Sequence, residues 1–299
     1  MASLKELRRK IKSTKSTQQI TKAMKMVAAA RMRRSQAAIM AARPFAVKLE
    51  ATIVHLAGLE VAARAAGERV PLHPYFKAHG SEAVGLMLVT ADKGLCGGFN
   101  TNLFRAAAEW LRKEQGRPVT VFVVGRKGRD FIKRLRNIPL TVESELAGIF
   151  PKVTFVHAEI LGKAASEAFL ARKLARVDVI YNEFKSAVSQ RVIVKTLLPF
   201  AAPEARPVLP LASEEYEFLP SRHTLLESLL PRYLKGQVLR ILLESQAAEL
   251  AARMNAMDSA SKNAGELIDA YALQLNRTRQ AIITKEIAEL VGGAEALAQ

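Results

Sequence analysis

From residue 243 onward, one stripe of mostly apolar positions runs through Leu243, Ala247, Leu250, Met254, Met257, Ser261, Ala264, Ile268, Tyr271, Leu275, Thr278 and Ile282. The steps alternate four and three without a slip. That spacing is the seam of a left-handed coiled coil, and it lasts beyond the three or four heptads that separate a coiled coil from a short amphipathic helix. It predicts one helix over residues 225–291, with no proline between Arg232 and Val291 and with Gly292-Gly293 as the stop. About 60 residues at 1.5 Å each make a rod of roughly 90 Å, which needs a partner along its length. Ala247 and Ala264 stand in the seam where a stable two-stranded coil carries leucine or isoleucine, so the rod is expected to be thin.

The first 57 residues predict a second long helix. Ser3 followed by Glu6 is a capping-box pattern, and Leu4, Leu7, Ile11, Ile20, Met24, Val27, Ala30, Ala37 and Ala41 keep helical spacing, with polar gaps at Thr14, Gln18 and Arg34. Pro44 is expected to bend this helix, and Gly58 to end it. An antiparallel pairing of the two terminal helices is the simplest closure for a chain with a domain between them. If Ala57 lies near Leu225, the N-terminal helix runs out near Ile282, and Ile282, Ile283, Ile287, Leu290 and Val291 project beyond it. Leaving such side chains wet forgoes roughly 1.5–3 kcal/mol each, so they are expected to be buried in another polypeptide.

Between the helices the period changes. Residues 83–90, 119–124 and 177–184 read as strands; residues 100–114, 126–136 and 153–174 read as helices. This alternation predicts a mostly parallel sheet with helices on both faces, and residues 191–198 add an antiparallel edge through a hairpin. A proline-rich linker, Pro199 to Pro210, then leads through residues 216–220 into the last helix. The expected division is 1–66 and 221–299 for the helices and 67–220 for the central domain.

Composition narrows the class. With 49% hydrophobic and 24% charged residues, the chain reads as folded, and no apolar run approaches the 18 residues of a membrane span. The N-terminus lacks a signal-peptide core, which makes the cytoplasm the default compartment. The single cysteine, Cys96, rules out a disulfide framework. The formal charge of +17 is concentrated at one end: residues 1–43 carry twelve Lys or Arg and one acid, Glu6. Nucleic acid, an anionic membrane and an acidic protein surface all suit such a stripe.

Candidate chemistry is sparse. The turn 90–100, TADKGLCGGFN, follows a strand and opens a helix, but its glycine spacing matches neither the dinucleotide nor the P-loop fingerprint, and a tight structural turn is the stronger reading. Cys96 within it reads as a small packed residue. Gly125-Arg126-Lys127-Gly128 has the form of an RNA-binding clamp without the surrounding order of elements. The five histidines show no metal-ligand spacing, and no nucleophile or paired-carboxylate constellation is present. No cofactor and no active site of its own are expected. A basic coiled-coil protein binding nucleic acid is the alternative function, and a dinucleotide-dependent enzyme the second rival.

Four blocks in order carry a resemblance that spans the chain: residues 20–30, ITKAMKMVAAA, with Arg31-Met32-Arg33; residues 93–100, KGLCGGFN; residues 251–267, AARMNAMDSASKNAGEL; and residues 276–291, NRTRQAIITKEIAELV. Together they resemble the gamma subunits of F-type ATP synthases. The resemblance implies a long antiparallel coiled coil of the N- and C-terminal helices with a Rossmann-like three-layer α/β/α domain at its foot. It implies the role of a central rotor shaft, turned by the c-ring within a hexamer of alpha and beta subunits and bound at the foot by epsilon. ATP would then be made on the beta subunits, and the chain would sit peripherally on the cytoplasmic face of a bacterial inner membrane. Nucleic acid would not be a partner.

By motif, the resemblance assigns Arg279, Gln280 and Thr284 to contacts with the beta-subunit catch loop, with Met24 packed near that same loop. It makes Ile282, Ile283, Ile287, Leu290 and Val291 the apical bearing, and places Tyr216 and Leu219 on the c-ring side of the foot. Many relatives carry glutamate where Leu219 stands, just before Pro220, and the cysteine pair of plant-type relatives is absent.

Overall fold

The computed structural model describes residues 3–65, 67, 71–135, 138–150, 152–201 and 221–297. The chain divides into two compact units, one made of residues 30–252 and the other of residues 1–29 with 253–299.

In the larger unit, three largely buried strands and two more exposed edge strands build a five-stranded sheet. Its strands are β1 (Val84–Val89), β2 (Val119–Val124), β3 (Leu140–Leu146), β4 (Val177–Phe184) and β5 (Gln190–Leu198), in the order β3-β2-β1-β4-β5. The first four pair parallel with one another, and β5 runs antiparallel on β4. Helices α2 (Phe99–Lys113), α3 (Arg126–Ile132) and α4 (Phe155–Leu170) connect the strands. All six residues of β1 are buried, as a central parallel strand covered on both faces requires. Alternate side chains divide between two cores. Leu86, Leu88, Val121, Val123 and Ile180 pack with Leu103, Ala107 and Trp110 of α2; Met87, Val89, Phe122, Val124 and Val179 pack with Leu161, Ala165 and Phe169 of α4. The second core also takes Ile53 and Leu56 of helix α1 (Leu4–Ala65) and Leu226, Leu230, Leu234 and Val238 of α5 (Arg222–Leu297).

The strand β3 was not expected from the pattern. Its Thr141, Glu143 and Glu145 break the apolar run, and five of its seven residues between Leu140 and Leu146 carry polar groups or lie exposed at the sheet edge. The short helices also end earlier than the spacing suggests, at Ile132 and Leu170. Both glycine stops fail. Helix α1 passes Gly58 and runs to Ala65, and α5 passes Gly292-Gly293 and runs to Leu297. A helical glycine costs only about 1 kcal/mol relative to alanine, and strong helix formers follow in each case. Past Gly58 there is also a tertiary anchor: buried Glu60 meets His223 Nδ1 at 3.1 Å.

In the smaller unit, α1 and α5 run antiparallel, because rising numbers on one meet falling numbers on the other. Lys10 Nζ lies 6.0 Å from the Tyr271 ring, Gln18 Nε2 donates to Ser261 O at 3.3 Å, and Lys25 Nζ donates to Asp258 Oδ1 at 2.6 Å. The α5 stripe faces inward as its spacing predicts: Met257 and Ala264 are buried, and Met254, Ser261, Ile268, Tyr271, Leu275 and Thr278 half-buried. On α1 the inward stripe is Leu4, Leu7, Ile11, Thr14, Gln18, Thr21 and Ala28, again in steps of three and four up to Thr21. Ile20 and Val27, 58% and 51% exposed, therefore point outward, contrary to the expected stripe, and so do Ala30, Ala37 and Ala41 in the larger unit. The expected stripe holds at Leu4, Leu7, Ile11 and Met24 and through the gaps Thr14 and Gln18; it slips where the heptad continues through Thr21 instead of Ile20. Asp258 is held below the usual carboxylate range by the Lys25 hydrogen bond first and then by Lys262. Its contribution to the pairing is present at neutral pH and fades as pH falls through that lowered value.

One buried carboxylate ties the sheet to its flank. Asp178, 5% exposed on β4, accepts from Trp110 Nε1, Arg176 Nε and Thr196 Oγ1, each at 2.8 Å. Removing it strands the buried Trp110 Nε1 and takes one bond each from Thr196, which is exposed, and Arg176, which keeps Glu114 as a partner. Asp178→Ala should lower the unfolding free energy by about 3 kcal/mol in denaturant titration, whereas an exposed control such as Glu143→Ala should stay within about 0.5 kcal/mol.

Candidate partner-binding site

The two glycine turns that stood out as possible ligand loops meet each other. Thr90 Oγ1 accepts from Gly128 N at 2.7 Å, and Asp92 accepts from Arg126 N at 3.1 Å, Gly148 N at 2.7 Å and Phe150 N at 3.3 Å. Three backbone donors at the C-terminal edge of the parallel strands are thus taken by the chain's own carboxylate. Gly125 has φ +89, and a Cβ there would lie 2.2 Å from Thr90 O; one at Gly128 would lie 2.8 Å from Thr90 Oγ1. The glycines serve close packing of loop on loop. Cys96, 1% exposed, accepts from Asn100 Nδ2 at 3.3 Å. His73 accepts from Tyr75 N, His157 caps α4 at Thr154, and His223 joins Glu60. Among the described residues no group of three His, Cys, Asp or Glu is placed to hold a metal, and no helix is long and apolar enough to cross a membrane.

Exposed apolar side chains occur in both units, Met40, Phe45 and Val47 of α1 among them in the larger one, and a long run of them lies on the helices of the smaller unit. Extending their register to the start of α1 sets Leu4 opposite about residue 277, so α5 continues for about 20 residues, roughly 30 Å, beyond α1 among the described residues. On this stretch Ile282 is 38% exposed, Ile283 47%, Ile287 56%, Leu290 74% and Val291 55%. Arg279, Gln280 and Thr284 are exposed on the same stretch. Met24 is half-buried beside Lys25, whose partner is Asp258. It therefore sits about 21 residues from Arg279 along α5, roughly 30 Å away, and this chain does not bring the two together. Tyr216 and Leu219 lie outside the described residues.

Ile20, Met26 and Val27, between 51% and 67% exposed, form a further outward patch on α1. The signal for it was present in the sequence, as the residues left over once the heptad is carried through the polar positions.

An α/β domain inserted between two long terminal helices, with apolar side chains exposed on those helices, defines the class of the chain. A sequence model of the family described as ATP synthase matches residues 3–297. The ATP synthase gamma chain of Elusimicrobium minutum is 45% identical, with 99% of each chain covered, and that of Moorella thermoacetica is 43% identical over 99% of this chain and all of the relative. Among solved structures, a chain of the Tetrahymena thermophila mitochondrial ATP synthase central stalk and c-ring superposes with TM-score 0.60 at 27% identity, covering 81% of this chain and 99% of that one. A chain of the Euglena gracilis mitochondrial ATP synthase shares the fold, with TM-score 0.66 at 20% identity over 98% and 94% of the two chains. The chain belongs to the ATP synthase gamma-chain family. With membership goes the rotor-shaft role that the resemblance implied, and the nucleic-acid alternative finds no support.

The loop-on-loop packing yields a direct test. Gly125→Ala should destabilise the chain by about 2 kcal/mol or more, read as a lower thermal midpoint, because both the positive φ and the Thr90 carbonyl oppose a methyl group.

Proposed function

We propose that this chain turns as the central shaft of a rotary ATP synthase at the cytoplasmic face of a bacterial inner membrane, with no active site of its own. In this reading residues 1–66 and 221–299 form the shaft and residues 67–220 the foot. The foot, through Tyr216 and Leu219 among others, meets the c-ring and epsilon; the shaft reaches into the alpha–beta hexamer. Ile282, Ile283, Ile287, Leu290 and Val291 act as the apical bearing. Arg279, Gln280 and Thr284 make polar contacts with the beta catch loop. Met24 is assigned to the same beta-subunit loop, although it lies about 21 residues from Arg279 along the helix.

The observation that carries this reading is the uncovered end of α5, where five large aliphatic side chains are 38% to 74% exposed. Aliphatic contacts are non-directional, so a greasy point turning in an apolar sleeve meets few deep energetic traps. Exposed charges such as Arg279 form screened pairs that are weak enough to exchange between steps. Rotation of an asymmetric shaft would then drive each beta site in turn through its open, loose and tight states.

Two measurements test the assignment. Arg279→Ala and Gln280→Ala should each lower coupled ATP synthesis several-fold in reconstituted complex while the thermal midpoint of the isolated chain stays within about 2 °C. Unaltered synthesis in both variants would remove these residues from the contact. Deleting residues 287–299 should weaken assembly with the catalytic hexamer at least tenfold, while shifting the isolated chain's midpoint only slightly. The opposite ordering would mean that the end of α5 packs within its own chain.

A further inference from the structure

Within the larger unit, one side-chain amide joins three separate parts of the chain. Gln246 of α5 is 8% exposed, and its Nε2 donates to the carbonyl oxygen of Phe150 at 2.7 Å, in the connection between β3 and α4. A carbonyl only accepts, so the amide nitrogen must face Phe150, which turns Oε1 toward α1. There it lies 3.2 Å from the hydroxyl of Ser35, a residue 5% exposed, whose proton is shared between Gln246 Oε1 and Leu243 O at 3.3 Å. The connection that Gln246 grips is itself held. Asp92 accepts from Gly148 N and Phe150 N on either side of Ile149, and from Arg126 N after β2. A continuous polar tie thus runs from α1 through α5 to the C-terminal edge of the sheet.

Around this tie, α5 meets the domain mostly through apolar side chains, Leu226, Leu230, Leu234, Val238, Ile241 and Leu242 on one core and Ala248 on the other; the half-buried Lys235 adds a bond to Glu159 of α4 at 2.6 Å, and Glu244 one to Tyr181 of β4. Apolar contact opposes separation, but it is non-directional and opposes sliding and twisting weakly. A hydrogen bond has a preferred length and angle, and a buried one has no water to exchange with when it is strained. We propose that Gln246 is a positioning residue for energy coupling: with Ser35 and Phe150 it keys the helix pair to the α/β domain against torque, so that rotation entering at one is delivered at the other without slip. The proposal rests on the rotor-shaft reading. It concerns the transmission of torque, and makes no claim on any reacting group.

The test uses the complete complex reconstituted in vesicles, with Gln246→Met, which keeps the side chain's length and loses both bonds, and Ser35→Ala, which loses one. The key predicts that unloaded ATP hydrolysis stays within twofold of the unsubstituted complex. The steady proton gradient built by ATP hydrolysis should fall at least threefold in Gln246→Met and by a smaller factor in Ser35→Ala. The torsional stiffness of single rotating complexes should fall in the same order. If Gln246→Met fails to assemble, Ser35→Ala decides alone by the same two readings. Gradient and stiffness equal to those of the unsubstituted complex would overturn the proposal. So would a parallel fall of hydrolysis and gradient, which marks general loss of structure. An unsubstituted complex that hydrolyses ATP and pumps no protons would defeat the rotor reading, and the key would fall with it.

Discussion

The pairing of the chain's two ends is the interaction on which the remaining structure depends. In the smaller unit it is held by a narrow seam in which Leu7, Thr21 and Ala28 on α1, and Met257 and Ala264 on α5, are the buried members. Small residues let the backbones approach: Gln18 reaches the Ser261 carbonyl, and a Cβ on Gly265 would lie 3.1 Å from Gln18 Nε2. The seam has few large aliphatics, so polar contacts such as Lys25 with Asp258 supply the register that apolar packing leaves loose. Because both ends are committed to one another, the residues between them must return on themselves, and a parallel sheet with crossover helices does so. Because α5 outlasts α1, its final turns have no α1 beside them.

The central domain has the strand arrangement on which many ligand sites are built, yet it spends that edge on itself. Asp92 occupies three backbone donors, and Thr90 closes on Gly125 and Gly128. The same bonds fix the connection that Gln246 holds. Geometry that could cradle an anion is used here to stiffen the joint between sheet and helices, in keeping with a part that has to bear load.

Much of this was legible in the sequence, for physical reasons that differ by element. The α5 heptad is unbroken from Leu243 to Ile282, and a period held that long admits one reading. β1 and β2 are almost continuous apolar runs, because both faces of a central parallel strand are covered, and β4 keeps enough of one in Val177, Val179, Ile180 and Tyr181 despite Asp178. β3 was hidden by its own position, since an edge strand bearing Glu143 and Glu145 carries no apolar signature. The α1 stripe is legible as far as Gln18 and then slips by one residue, because the seam continues through polar Thr21 while the apolar neighbour Ile20 faces outward. Glycine at 58 and at 292–293 was read as an end, though a local cost of about 1 kcal/mol does not stop a helix whose neighbours favour it. At the candidate site, the exposed aliphatics beyond Ile282 follow from the difference in helix length alone. The grouping of Met24 with Arg279 came from resemblance, and the antiparallel register sets them apart. The amide of Gln246 had no sequence signal at all, because a buried glutamine among apolar neighbours reads as a surface residue until its partners are in place.

The most direct test of the account follows backbone amide hydrogen exchange across residues 282–291, first in the isolated chain and then in the assembled complex. If this stretch turns inside a protein sleeve, protection should rise at least tenfold on assembly while the sheet strands change little. Equal exchange in both states would contradict the account.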